Sequence, residues 1–175
     1  IIKESSQVGA TQISFLLGAD RLIENYKNFG FTKPISINFP SSSFGEINSR
    51  DEMSDIEIAT LGYGYGLTAT PFQISQAYAI FANKGIFYDF RIVKDNTHSI
   101  FQDQIISQST AEDILFAMKE VVEHGTGALA KLEQFNVSGK TGTTEKLRDG
   151  SYKSSSYTEY FVGIGPNPSN QLTIF

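Results

Sequence analysis

Apolar residues recur with a helical period over the first part of the chain. Within residues 7–29, Val8, Ile13, Phe15, Leu16, Leu22, Ile23 and Tyr26 fall at spacings close to one helix face. Gly30 reads as the stop. Residues 33–50 are rich in Pro, Ser, Asn and Gly and read as loop with short extended pieces. A clearer helix is predicted over residues 70–85. Thr70 can cap it, Pro71 suits the first helical position, and Gln73 completes a capping box. Ile74, Ala77, Tyr78 and Phe81 form its apolar stripe, and Gly85 closes it. The pattern repeats over 109–125, with Ser109 as cap, Glu112 three residues on, and Ile114, Leu115, Met118, Val121 and Val122 facing inward. Gly125 and Gly127 end that helix.

The period then changes. Phe135 to Thr143 is short and strand-like, and a polar loop with Asp149-Gly150 and a serine run follows. Tyr157 to Ile164 is aromatic and β-branched, and Leu172 to Phe175 begins a further strand. Strands in succession without intervening helices predict an antiparallel meander. The expected class is α+β, with helices over about 1–130 packed on strands over about 134–175.

Composition narrows the chemistry. With 175 residues, 40 % hydrophobic and 19 % charged, the chain suits one domain or a large piece of one. A net charge of −5 without a basic block argues against a nucleic-acid surface. There is no cysteine, which excludes disulfides and thiolate chemistry. His98 and His124 lack metal-ligand spacing, and neither a metal nor a cofactor is expected. No run of 18 apolar residues occurs. The chain opens at Ile1 without methionine and stops inside an apolar run, and so reads as a piece of a longer protein.

The stretch VSGKTGTTEK, residues 137–146, carries the most chemistry. A phosphate loop needs a glycine where Gln134 stands, and a helix after the Lys-Thr pair. Neither requirement is met. A plain strand edge with glycine is the simplest reading. An acyl-transfer wall is the sharper one, because such chemistry needs a cation for a substrate carboxylate and backbone amides for an oxyanion. Lys140 brings the charge, Thr141 and Thr143 bring hydroxyls, and Gly142 lets a substrate backbone lie close and add as a strand. The Thr143 amide can face an oxyanion. Ser5 alone reads as a helix cap. Tyr63 and Tyr65 either line a groove or pack beside a turn. His124 suits a helix C-terminus.

Lys140-Thr141-Gly142 matches the K-T-G element of the S-x-x-K, S-D-N and K-T-G set of penicillin-binding proteins and related β-lactamases. Ser5-Ser6-Gln7 is an altered form of the second element, and S-x-x-K is absent. Four stretches extend the likeness in order: ESSQVGATQI, DIEIATLGYGYGLTATPFQISQAYAIFANKG, VVEHGTGALAKLEQFNVSGKTGTTEK and YTEYFVGIGP. Over nearly its whole length the chain resembles the C-terminal part of the transpeptidase domain of a class B penicillin-binding protein. The septum-building, cell-division member is the nearest match in wording, ahead of the cell-elongation member.

The resemblance implies a penicillin-binding-protein/serine β-lactamase-like transpeptidase fold, partly covered by residues 1–175. It implies a serine-type D,D-transpeptidase that cross-links peptidoglycan stem peptides at D-alanyl-D-alanine and is bound by β-lactam antibiotics. The nucleophilic serine is expected upstream, so this piece alone is expected to be inactive. By the same likeness Ser5 relays a proton to the leaving amine, and Lys140 sets the electrostatics of that relay. Thr141 and Thr143 bond the substrate carboxylate, and the Thr143 amide forms half of the oxyanion hole. Gln7 stands where the family has Asn, one methylene longer, at the position that bonds the substrate amide. Implied partners are stem peptides, β-lactams and division-machinery membrane proteins. The implied location is the bacterial inner membrane, with this domain in the periplasm and the anchor outside the chain. Two other readings share the motifs: a β-lactamase or D,D-carboxypeptidase, and an inactive β-lactam-sensing or division-scaffold module.

Overall fold

The computed structural model describes residues 1–34, 43–48, 52–90, 102–148, 151–167 and 170–174. His98, Asp149-Gly150, Phe175 and most of the loop expected over 33–50 lie outside these residues.

The helix expected over 7–29 is two helices, α1 (Gln7–Leu17) and α2 (Ala19–Asn28). Gly18 separates them at φ 75°, ψ 164°, a conformation that cannot continue a right-handed helix. The predicted apolar face of α1 does not enter the core: Val8 is 72 % and Leu16 85 % exposed. Gly9 and Ser14 are buried instead. Small residues let α1 approach α3 (Asp55–Leu61) and the turn after it, where a Cβ on Gly62 would lie 2.7 Å from the Ser14 Cβ. The Tyr26 hydroxyl on α2 donates to the Leu61 carbonyl at 2.8 Å, and burial raises that phenol's pKa.

α3 opens with a capping box of Ser54 and Glu57. α4 (Pro71–Ala82) opens with the box expected from sequence, Thr70 and Gln73, with Pro71 at its start. Gln73 does more than cap. Buried to 1 % exposure, its side-chain oxygen accepts from the Gly45 amide at 2.9 Å and the Thr70 amide at 3.0 Å. Its amide nitrogen donates to the carbonyls of Phe31 at 2.8 Å and Lys33 at 3.2 Å. One neutral side chain thus satisfies loop backbone that is withdrawn from water. After α4, Gly85 turns the chain at φ 86° into β1 (Ile86–Tyr88), which pairs antiparallel with β2 (Gln102–Gln104).

α5 spans Gln108–His124. Its cap is Ser107, not Ser109: the Ser107 oxygen accepts from the Thr110 amide at 3.1 Å. Ser109 instead shares a hydroxyl hydrogen bond with Ser107 at 2.9 Å, and Glu112 receives the Gln108 side-chain amide at 2.7 Å. The hydroxyl cluster offered several caps, and the extended backbone at Ser107 selected one.

β3 (Ser138–Arg148), β4 (Ser151–Asn167) and β5 (Asn170–Ile174) form an antiparallel sheet in the order β3-β4-β5, the expected meander. The serine run lies inside β4 rather than in a loop, because hairpin pairing extends to Arg148 opposite Ser151 and outweighs the polar composition. The first strand begins at Ser138, three residues later than expected, and Phe135 stays 50 % exposed. α5 packs on β3, and α4 packs on β4 and β5. Ile80, Met118, Val121, Val122, Val162 and Ile164 fill the space between helices and sheet, each nearly closed to solvent. Each such side chain contributes roughly 1.5–3 kcal/mol by leaving water.

Candidate active site

The chain's first residues are folded onto the end of α5. The Thr126 amide donates to the Lys3 carbonyl at 3.5 Å, and a Cβ on Gly125 would lie 2.6 Å from that same oxygen. Residues 1–6 form a tight turn, with the amides of Ser5 and Ser6 donating to the carbonyls of Ile2 and Ile1 at 3.3 and 3.1 Å. Ser5 sits at φ 50°, a left-handed conformation that a serine adopts at a cost. The two serines divide their work. Ser6 caps α1 by accepting from the Gly9 amide at 3.2 Å, and Ser5 faces β3.

Strand β3 brings Lys140 to meet it. The Lys140 ammonium donates to the Ser5 hydroxyl oxygen and, at 2.9 Å, to the Thr141 carbonyl. A serine oxygen that accepts from an ammonium keeps its own proton for another acceptor. Burial holds the Lys140 ammonium below the ordinary lysine range. Beside it the hydroxyls of Thr141 and Thr126 are hydrogen-bonded at 2.9 Å, which ties β3 to the turn after α5.

These groups open on a cleft of about 1020 Å³. Ser5, Gln7, Lys140, Thr141, Gly142 and Thr143 all line it, so every site residue expected from sequence meets in one place. Gln7 is the first residue of α1 and is exposed at the mouth. Of the two turn tyrosines, Tyr63 lines the cleft and Tyr65 does not; their rings meet edge-to-face at 5.7 Å. His124 pairs with Glu120 at 3.1 Å on the last turn of α5, outside the cleft. Among the described residues no group of His, Cys, Asp and Glu could hold a metal ion.

Several lining residues were not legible as such. Tyr160 pairs with Gly142 across the strands, and a Cβ on Gly142 would sit 2.1 Å from the Tyr160 ring. The glycine is therefore already required by Tyr160 within the sheet. Tyr78 of α4 lies beside it; burial first, and the neighbouring Tyr160 phenol second, push the Tyr78 pKa up to about 12. Glu159 and Thr126 complete the walls. Finding them from sequence needs the β3–β4 register, which the residues between the strands do not disclose.

A K-T-G strand whose lysine reaches an S-x-Q turn agrees with the family comparison, in which the penicillin-binding protein transpeptidase domain matches residues 1–175. The chain belongs to the penicillin-binding protein transpeptidase family. Among its relatives, a peptidoglycan D,D-transpeptidase FtsI of Buchnera aphidicola is 32 % identical over 99 % of this chain and 31 % of its own length. Stage V sporulation protein D of Bacillus subtilis is 28 % identical over 100 % of the chain and 29 % of its own. The chain thus spans about a third of the curated relatives it matches. In three dimensions it matches the apo transpeptidase domain of Burkholderia pseudomallei penicillin-binding protein 3 with a TM-score of 0.87 and 29 % identity, over 95 % of this chain and 51 % of that one. Penicillin-binding protein 3 of Mycobacterium tuberculosis, solved with ampicillin, gives a TM-score of 0.87 and 26 % identity over 98 % of this chain and 42 % of that one. The penicillin-binding protein transpeptidase fold expected from the motifs is therefore present in part, as helices on an antiparallel sheet.

Proposed function

We propose that the protein carrying this chain is a peptidoglycan D,D-transpeptidase of the septal type, which cross-links stem peptides by serine acyl transfer and is acylated by β-lactams. Residues 1–175 are the C-terminal part of its one transpeptidase domain. The nucleophilic serine and its lysine lie N-terminal to Ile1. The protein is held at the bacterial inner membrane by an anchor outside this chain, works in the periplasm, and meets division-machinery membrane proteins there.

The observation that carries this reading is the Lys140–Ser5 hydrogen bond, which joins residues 135 positions apart at the wall of a cleft. In the proposed cycle the upstream serine attacks the penultimate D-alanine carbonyl of a donor stem. The developing oxyanion takes a hydrogen bond from the Thr143 amide, a type of donor worth roughly 2.7–4 kcal/mol in the transition state. Thr141 and Thr143 hydroxyls bond the terminal carboxylate, which the Lys140 charge attracts. Ser5 passes its proton to the departing D-alanine nitrogen and is reprotonated by the proton that the attacking serine gave up to its upstream lysine, and Lys140 holds the Ser5 oxygen in place. Gln7 bonds the amide of the acyl group, and Gly142 keeps the strand edge open to the substrate backbone. A primary amine of a second stem, in its neutral form, then attacks the acyl-serine ester; the serine C–O bond breaks, and the amine's proton restores the serine hydroxyl.

Labelling with a fluorescent penicillin tests this. The full-length protein is expected to label, and residues 1–175 alone are not. Lys140→Ala in the full-length protein is expected to abolish labelling. Labelling that survives that change would remove the role given to Lys140; a full-length protein that never labels would remove the transpeptidase reading.

A further inference from the structure

We propose that Glu159 selects the acyl acceptor, by holding the ammonium of the incoming amine with its carboxylate. The proposal rests on the transpeptidase reading and adds to it a residue that determines which nucleophile is taken.

Two side chains lining the cleft carry formal charge at neutral pH, Lys140 and Glu159. They do not pair with each other. The Lys140 ammonium is engaged by Ser5 and the Thr141 carbonyl. The Glu159 carboxylate is exposed and has neither an ion-pair nor a hydrogen-bond partner among the described residues. It stands opposite Thr143 in the β3–β4 register. Residues directly opposite share a face, with Cβ atoms about 4.5–5.5 Å apart. The carboxylate therefore reaches the neighbourhood of the residue whose amide faces the acyl carbonyl.

An unpaired anion is an odd lining for a cleft that takes a carboxylate donor, since like charges repel. It suits the second substrate. An alkyl amine has an ordinary pKa of about 10.4 and arrives charged at neutral pH. A carboxylate beside the acyl site draws it in, and the low-dielectric walls of a cleft strengthen that attraction. Lys140 and the two threonines then serve the anionic end of the donor, and Glu159 serves the cationic end of the acceptor. Glu159 binds the ammonium and is assigned no proton transfer.

The test uses the full-length protein with a soluble thioester donor whose acyl group is N-benzoyl-D-alanine, which carries no free amine. Two nucleophiles compete with water for the acyl-enzyme: Nα-acetyl-lysine amide, whose one charge at pH 7.5 is its ammonium, and hydroxylamine, which is neutral. Glu159→Gln is expected to lower transfer to the cationic amine roughly threefold to tenfold, mainly through its KM. Acylation by the donor and transfer to hydroxylamine are expected to stay unchanged. Glu159→Asp is expected to keep at least about half of the amine transfer, and the defect is expected to shrink as salt rises towards roughly 0.5 M. Equal losses for both nucleophiles, an unchanged partition, or slower donor acylation would each overturn the role given to Glu159. Failure of the unmodified protein to form an acyl-enzyme would instead overturn the transpeptidase reading, and this one with it.

Discussion

Gln73 and Lys140 both reach across the chain with a polar side chain, yet their surroundings are opposite. Gln73 is 1 % exposed, neutral and saturated with backbone partners from three segments. Lys140 is charged, partly buried, and held by a serine with a strained backbone at the wall of an open cleft. The first arrangement satisfies groups that would otherwise be orphaned, which is what stability asks of a buried amide. The second keeps a cation where desolvation disfavours it. The role proposed for Lys140 gives that cost a reason, and stability does not.

The contrast breaks most visibly at Gln73. Gln73→Leu leaves the Gly45 amide and the Phe31 carbonyl without their partner, and about 3 kcal/mol of unfolding free energy is expected to go. Urea unfolding of the full-length protein checks this. A loss below about 1 kcal/mol would mean that water takes the place of the amide.

Gly142→Ala comes next. The new methyl meets the Tyr160 ring, so the ring must swing, at an expected cost of about 1–2 kcal/mol. Combining it with Tyr160→Ala is expected to recover most of that loss in a double-mutant cycle. Additive losses would mean that the glycine answers to something other than the ring.

Lys140→Met sharpens the comparison from the other side. The folded state holds the Lys140 proton less tightly than the unfolded chain, so the desolvation penalty is fully present below the folded pKa. It is relieved as pH rises from there towards 10.5. The variant is expected to lose penicillin labelling while its melting temperature near pH 7 stays level or rises. Any advantage over the parent is expected to narrow as pH rises towards 10.5. A large fall in melting temperature would make Lys140 a structural residue of the same kind as Gln73.

The smallest effect is confined to alkali. Burial pushes the Tyr78 phenol up to about 12 from an ordinary 10.0, so the unfolded chain ionises first and stability falls between these values. Tyr78→Phe is expected to resist that fall and to match the parent at neutral pH in circular dichroism melts.

What could be read in the sequence was what is local. The Thr70–Gln73 capping box, the inward stripe of Met118, Val121 and Val122, and the meander all rest on short-range periodicity, and all appear in the fold. Ser5, Gln7 and residues 140–143 were found through motif order and meet in the cleft. The misses have physical causes. Gly18 interrupts a continuous apolar pattern because its backbone, and not its polarity, ends α1. Val8 and Leu16 fit a helical face that none of the described residues covers. Ser107 won a competition among neighbouring hydroxyls. Tyr78, Glu159 and Tyr160 depend on strand register and helix docking, which arise only once the hairpin has formed.

The separation of 135 residues between Ser5 and Lys140 also sets an order of events during synthesis. Ser5 leaves the ribosome first, and at about 5–20 residues per second its ammonium partner follows roughly 7–27 s later. Throughout that interval the Ser5 hydroxyl has no ammonium to meet, although the end of α5, where Lys3 docks, emerges somewhat earlier. Helices α1 to α5 can settle early from local contacts, and the loop joining the two halves of the cleft closes last. A nascent chain arrested before β3 would hold most of its helices and only one side of the cleft.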